Sequence, residues 1–163
     1  MTTVLEIPLK NIIIMGRSLG SGPATYLAGR YEVGMLVLIS PFISIKAVVK
    51  DMVGSFGAMF VKDTFRNIDE IKHVKSHTLL IHGMKDEIVK PYQSDELQDA
   101  CGGKCDSVFF ENMTHNDINV IEWIAKPLKT LADYIGFCFN EGVGIGLPRL
   151  LFEKPPNGFN FKI

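Results

Sequence analysis

The stretch Asn11-Ile12-Ile13-Ile14-Met15-Gly16-Arg17-Ser18-Leu19-Gly20 passes abruptly from a β-branched apolar run to a turn of small residues. The apolar run does not alternate with polar residues, so it predicts a strand covered on both faces, as in a parallel sheet. Residues 19–30 follow with Leu19, Tyr26, Leu27 and several small side chains. They predict a helix despite Gly20, Gly22 and Pro23 in its first turn, where proline is tolerated because the first amides have no intrahelical acceptor. Met35-Leu36-Val37-Leu38-Ile39-Ser40 reads as a second buried strand, ended by Pro41. Strand, helix and strand within about 30 residues form a right-handed βαβ unit.

The pattern continues outward from that unit. Thr78-Leu79-Leu80-Ile81-His82 is a third strand ending at Gly83, and Ser107-Val108-Phe109-Phe110 is a fourth. Residues 43–65 are apolar, rich in Met, Phe and Gly, and only weakly periodic, which predicts a loosely helical excursion. Asn67 or Asp69 is expected to cap a short helix running to Val74. Residues 91–100 carry Pro91 at the start and acidic side chains early, which suits a helix dipole. Residues 117–135 place Ile118, Ile121, Ile124, Ala125, Leu128 and Leu131 on one face, an amphipathic helix that Pro127 is expected to kink. Beyond Gly136 every periodicity ends, broken by Gly142, Gly144, Gly146, Pro148, Pro155 and Pro156. The expected fold class is therefore α/β, an open, mainly parallel sheet with flanking helices over residues 1–135, followed by an irregular tail over 136–163. Phe152, Phe159 and Phe161 suit a tail that docks rather than floats.

Composition narrows the function classes. The 163 residues are 47% hydrophobic and 21% charged, enough apolar material for one buried core. Lys+Arg 17 against Asp+Glu 18 leaves a net charge of -1, which gives no electrostatic basis for a nucleic acid or anionic membrane partner. Residues 33–45 are the longest stretch without a charge, and Gly34, Ser40 and Pro41 interrupt them. A spanning helix needs about 20 apolar residues, so no integral membrane segment is expected. No secretory signal is visible at the N-terminus. Cys101, Cys105 and Cys138 are too few and too scattered for a disulfide framework, and a cytoplasmic setting is expected.

Chemistry enters at Gly16-Arg17-Ser18-Leu19-Gly20, a Gly-x-Ser-x-Gly turn between a predicted strand and a predicted helix. The tight turn projects the Ser18 hydroxyl at the C-terminal edge of the sheet. Flanking glycines let strand and helix approach, and the Leu19 amide points where a developing oxyanion would lie. A glycine-rich turn with a capping serine is the competing reading, and the strand before and helix after favour the nucleophile. A serine needs a base, and the base an orienting acid, here in the chain order serine, acid, histidine. Asp86 follows the third strand in Asp86-Glu87-Ile88-Val89, and Glu87 reads as a solvated loop charge. His115 follows the fourth strand in Asn112-Met113-Thr114-His115, while Asp117 reads as a helix N-cap. His73 and His77 read as solvated or helix-end groups, and His82 as the residue that holds the loop carrying Asp86. Cys101-Gly102-Gly103-Lys104-Cys105 lacks a second ligand pair for zinc. Gly142-Val143-Gly144-Ile145-Gly146 lacks the strand and lysine of a phosphate loop. No cofactor or metal is expected.

Gly16-Arg17-Ser18-Leu19-Gly20-Ser21-Gly22-Pro23, Leu27-Ala28-Gly29-Arg30-Tyr31-Glu32, Leu80-Ile81-His82-Gly83 with Asp86-Glu87, and His115-Asn116-Asp117-Ile118 resemble the α/β-hydrolase superfamily. They are most similar to its α/β-hydrolase-domain group that includes protein depalmitoylases. Ser40-Pro41-Phe42 and Asp63-Thr64-Phe65 with Asn67-Ile68 look like that group's middle segment. The resemblance covers about residues 10–135. It implies Ser18 as nucleophile, Asp86 as acid, His115 as base, and hydrolysis of esters or thioesters, acylated proteins included.

The family places about four more strands before the serine strand, and a loop among them donates the second oxyanion-hole amide. The expectation here is a truncated α/β-hydrolase fold whose oxyanion hole holds only the Leu19 donor. One lost donor costs on the order of 3 kcal/mol, or roughly 10²–10³ in rate. The group's cysteine-rich lipidated N-terminus is also missing, so peripheral membrane attachment is expected only of a full-length form. The strand at Ile12-Ile13-Ile14-Met15 becomes an edge, which predicts a homodimer through it. A non-catalytic chain serving as an interaction module and a serine peptidase are the alternative functions.

Overall fold

The computed structural model describes residues 7–117 and 119–137. Its sheet has four parallel strands in the order β1 (Ile13–Arg17), β2 (Met35–Ile39), β3 (His77–Gly83) and β4 (Cys105–Phe110). Ile13 pairs with Met35, Met35 with His77, and Thr78 with Cys105, so the strands start level and end together. All four strands lie where the apolar runs predicted them. The central β2 is buried at every position, which is why its sequence shows no alternation.

Two apolar layers sandwich the sheet. Leu36, Leu38 and Leu80 face Ala24 and Ala28 of α1 (Ser21–Ala28) and Leu97 of α4 (Tyr92–Ala100). Met35, Val37, Ile39, Leu79 and Ile81 face Leu131 and Ala132 of α5 (Lys126–Ile135). The period-two alternation of strand side chains sends consecutive residues to opposite layers. Between β2 and β3 the chain forms α2 (Ile45–Ala58), interrupted at Gly54 with φ 79°, and α3 (Asn67–Glu70), continued by a 3-10 turn at Ile71–His73. Ser44 caps α2 by accepting from the Ala47 amide at 3.2 Å.

Several local expectations change. The helix expected over 19–30 begins at Ser21, because Ser18–Gly20 wind as a tighter 3-10 turn. Neither Asn67 nor Asp69 caps α3, whose N-cap position is Arg66. The Asn67 amide is buried instead and donates to Ser21 Oγ and the Phe42 carbonyl, both at 2.9 Å. The single helix expected over 117–135 is two elements, a π-helical segment Val120–Ala125 and then α5. Pro127 stands at the junction of the two, directly after the π-helical segment and in the first turn of α5, so it marks the change of winding. Asn119, not Asp117, is the N-cap, accepting from the Glu122 amide at 3.1 Å. The tail over 136–163, Cys138 and the glycines from 142 to 146 lie almost wholly outside the described residues, as does Ile118.

Candidate active site

Ser18 sits at the turn from β1 into α1 with φ 47°, a left-handed conformation that an L-residue with a side chain rarely adopts. Holding it there costs about 1–3 kcal/mol. The turn is tight because a Cβ on Gly16 would lie 2.5 Å from the Gly20 carbonyl oxygen and 2.6 Å from Ala24 Cβ. Only the first glycine of the motif carries that constraint. A Cβ on Gly20 would meet open space, so the close approach of strand and helix rests on Gly16.

Ser18 Oγ lies 2.9 Å from His115 Nε2, and His115 Nδ1 lies 2.8 Å from Asp86 Oδ2. Three side chains from the ends of β1, β3 and β4 thus meet although Ser18 and His115 are 97 residues apart. An ionised carboxylate only accepts, so Nδ1 carries the imidazole proton and Nε2 presents its lone pair to the Ser18 hydroxyl. Asp86 is 3% exposed and His115 7%, so little water competes for these bonds. Adjacent Glu87 is exposed, as a solvated loop charge should be. A cleft lined by Lys85, Glu87, Ile88, Thr114, His115 and Asn116 opens beside the imidazole.

The Asp86 carboxylate is built into its loop. Its Oδ1 accepts from the amides of Ile88 at 3.0 Å and Val89 at 2.8 Å. Burial pushes its pKa up, but hydrogen bonds from His82, the Val89 backbone and His115 outweigh that and hold it well below the usual carboxylate range. The acid is therefore charged wherever the protein is folded near neutrality.

His82 holds this loop, as its place at the strand end suggested. It is fully buried, with Nε2 2.9 Å from the Val89 carbonyl and 3.5 Å from Asp86 Oδ2, and Nδ1 2.6 Å from Ser94 Oγ. Two acceptors face Nε2, so the proton sits there and the Ser94 hydroxyl donates to Nδ1. Phe109 stacks on the ring with centroids 6.4 Å apart. His82→Phe keeps the ring and strands the buried Ser94 and Val89 groups, at about 1–3 kcal/mol each. A lowered thermal midpoint is the expected result. An unaltered midpoint would show that the loop does not need this clamp.

Sequence reasoning missed Arg17. Its guanidinium donates to the His115 carbonyl and, at 3.4 Å, to Asn116 Oδ1, fastening the histidine loop to the serine turn. Nothing local marks this role, because the partners are 98 and 99 residues away. A second tie links the acid and histidine loops, where Lys85 Nζ donates to Asn112 Oδ1 at 2.8 Å. His73 and His77 do not share a helix face. His73 ends a 3-10 turn while His77 opens β3 and, rather than being solvated, pairs with Asp106 of β4. Among the described residues no cluster of three or more His, Cys, Asp or Glu is placed to hold a metal, and no helix is long and apolar enough to cross a membrane.

Serine on a strand-to-helix elbow, then acid, then histidine on later strand ends of a parallel sheet is the order of the α/β hydrolases. The chain has the fold of the α/β hydrolases, and its sequence is similar to proteins named for that domain. It is 32% identical over 127 residues to Alpha/beta hydrolase domain-containing protein 17C of Xenopus tropicalis, covering 77% of this chain and 39% of the relative. It is 31% identical over 121 residues to Alpha/beta hydrolase domain-containing protein 17B of Homo sapiens, covering 74% and 41%. The chain thus spans about two-fifths of the length of the curated relatives it matches. The esterase domain of a Rhodothermus marinus protein superposes with a TM-score of 0.63 at 18% identity, over 82% of this chain and 63% of that one. Acetyl Xylan Esterase 1 from Thermoanaerobacterium sp. gives 0.60 at 18% identity, over 77% and 47%. At such identities the two structures establish the fold alone. No family model matches the chain.

Proposed function

We propose that the chain is a serine hydrolase of ester or thioester bonds, with Ser18 as nucleophile, His115 as general base and Asp86 as the acid that orients it. The observation that carries this reading is the unbroken run of hydrogen bonds from Ser18 Oγ through the imidazole to Asp86. Ser18 Oγ attacks the acyl carbonyl while its proton passes to His115 Nε2. Asp86 accepts from Nδ1 throughout and stabilises the imidazolium. The oxyanion forms toward the Leu19 amide, which at the start of the Ser18–Gly20 turn has no intrahelical acceptor. Collapse expels an alcohol or thiol that takes the proton from His115, and water then releases the acyl group by the same route.

Leu19 is the one oxyanion donor assigned, and a single donor suits good leaving groups, so thioesters and activated esters are preferred over amides. Acylated proteins and small-molecule esters are the substrate classes, in a cytoplasmic setting, with peripheral membrane attachment reserved for a longer form. The test is active-site labelling. A fluorophosphonate should modify the wild-type chain and spare Ser18→Ala. Equal labelling of both would contradict the assignment, and no labelling of either would favour the non-catalytic interaction module.

A homodimer belongs to the same proposal. Among the described residues β1 is hydrogen-bonded on one side only, to β2, and Met15 is 48% exposed at that edge. A second copy pairing along this edge is expected to give a dimeric mass in sedimentation and slow exchange of the Ile13 to Met15 amides. A monomer with freely exchanging β1 amides would contradict it.

A further inference from the structure

The opposite end of the sheet carries a feature that the proposed hydrolysis does not use. Cys101-Gly102-Gly103-Lys104-Cys105 joins α4 to β4. Cys105 is the register partner of Thr78 in β3, and Thr78 Oγ1 lies 3.7 Å from Cys101 Sγ. One threonine therefore touches the first cysteine and stands beside the second. Both cysteines pack against the same core layer on one face of the sheet, and both are partly exposed.

The loop between them is clamped. A Cβ on Gly102 would lie 2.1 Å from the Lys72 carbonyl oxygen, and one on Gly103 2.8 Å from that of Lys75. The Gly102 amide donates to Ile71 at 3.1 Å, and the Thr78 amide to the Lys104 carbonyl at 2.8 Å. No side chain fits at either glycine, so the ends of the loop are held together before any chemistry occurs. The surroundings also separate the two sulfurs. The hydrogen bond from Cys105, against the opposing effect of burial, together with the Gly103 amide, Thr78 and the charge of His77, draws the Cys101 thiol down to about 6. The bond to Cys101, burial and nearby negative charge keep Cys105 protonated. A thiolate beside a protonated thiol is the arrangement of a reactive cysteine and its resolving partner.

We propose that Cys101 and Cys105 form a peroxide-reactive dithiol that closes reversibly to a disulfide. The Cys101 thiolate attacks a hydroperoxide, forming an S–O bond as the O–O bond breaks. The sulfur is oxidised to sulfenic acid and the peroxide is reduced to an alcohol or water. Cys105 then attacks Cys101, the S–S bond forms, the S–O bond breaks, and the oxygen leaves as water with the Cys105 proton. This inference is independent of the hydrolase reading.

The experiment treats the reduced full chain with hydrogen peroxide, blocks remaining thiols with iodoacetamide and maps tryptic peptides by mass spectrometry. Lys104 lies between the cysteines, so cleavage there separates them unless they are bonded. The expected product keeps both peptides joined and releases them on addition of dithiothreitol. Cys105→Ser should stop at sulfenic acid on Cys101 and take up dimedone, whereas Cys101→Ser should leave Cys105 a free thiol. The proposal is overturned if the wild-type disulfide joins Cys138 instead, if Cys105 takes up dimedone as readily as Cys101, or if both thiols survive peroxide unmodified. Unchanged circular dichroism of both serine variants separates these outcomes from misfolding.

Discussion

Ser18→Ala is expected to lower ester or thioester hydrolysis by roughly 10⁴-fold or more, to the residue left by binding and the oxyanion donor. The same position makes a second, opposite demand. Because Ser18 has φ 47°, alanine keeps the backbone strain while losing the bond to His115. Glycine loses the nucleophile equally but relaxes the strain. Ser18→Gly should therefore be as inactive as Ser18→Ala yet more stable than it by about 1 kcal/mol, read from denaturant unfolding. Activity and stability then move apart at one residue. Equal stability of the two variants would mean that the elbow is not strained.

Asp86→Asn should lower kcat by roughly 10⁴ with little change in fold. Asparagine can present an N–H to His115 Nδ1, which drives the imidazole proton to Nε2, where it faces Ser18 and blocks proton transfer. The same variant has a defined pH signature. The folded-state pKa of Asp86 is lowered, the hydrogen bonds from His82, Val89 and His115 overcoming burial. Its stability contribution is thus fully present above the ordinary carboxylate value of about 4 and is lost as pH falls through the lower folded value. The midpoint gap between wild type and Asp86→Asn should stay constant from neutrality to about pH 5 and narrow in stronger acid. A gap that widens on acidification would contradict the charged, hydrogen-bonded state of Asp86.

The fold was legible where burial is complete. Met35, Leu36, Val37, Leu38 and Ile39 are buried at every position, and a run without alternation is the only pattern such a strand can leave. The meeting of Ser18, Asp86 and His115 was legible because each follows a strand end, and parallel strands bring those ends to one edge. What stayed hidden depends on contacts across the chain or on competition between neighbours. Asn67 looked like a cap because its side chain is short and polar, but burial against Ser21 and Phe42 took its amide. Asp117 lost the cap to Asn119 because the helical turns begin only at Val120, which puts Asn119 in the capping place, where its side chain accepts from the Glu122 amide at 3.1 Å. The wide turns of Val120–Ala125 have no periodic signature distinct from an α-helix over so few residues. Arg17 and His115 are joined only by the tertiary fold.

The central claim is that Ser18 is the residue acylated during turnover. Its most direct test is to locate the adduct after fluorophosphonate treatment of the wild-type chain. Trypsin cleaves after Arg17 and Arg30, so residues 18–30 form one peptide. The phosphonyl group is expected on that peptide, at Ser18, with Ser21 of the same peptide unmodified. A group found on any other residue, or a wild-type chain that carries none, would contradict it.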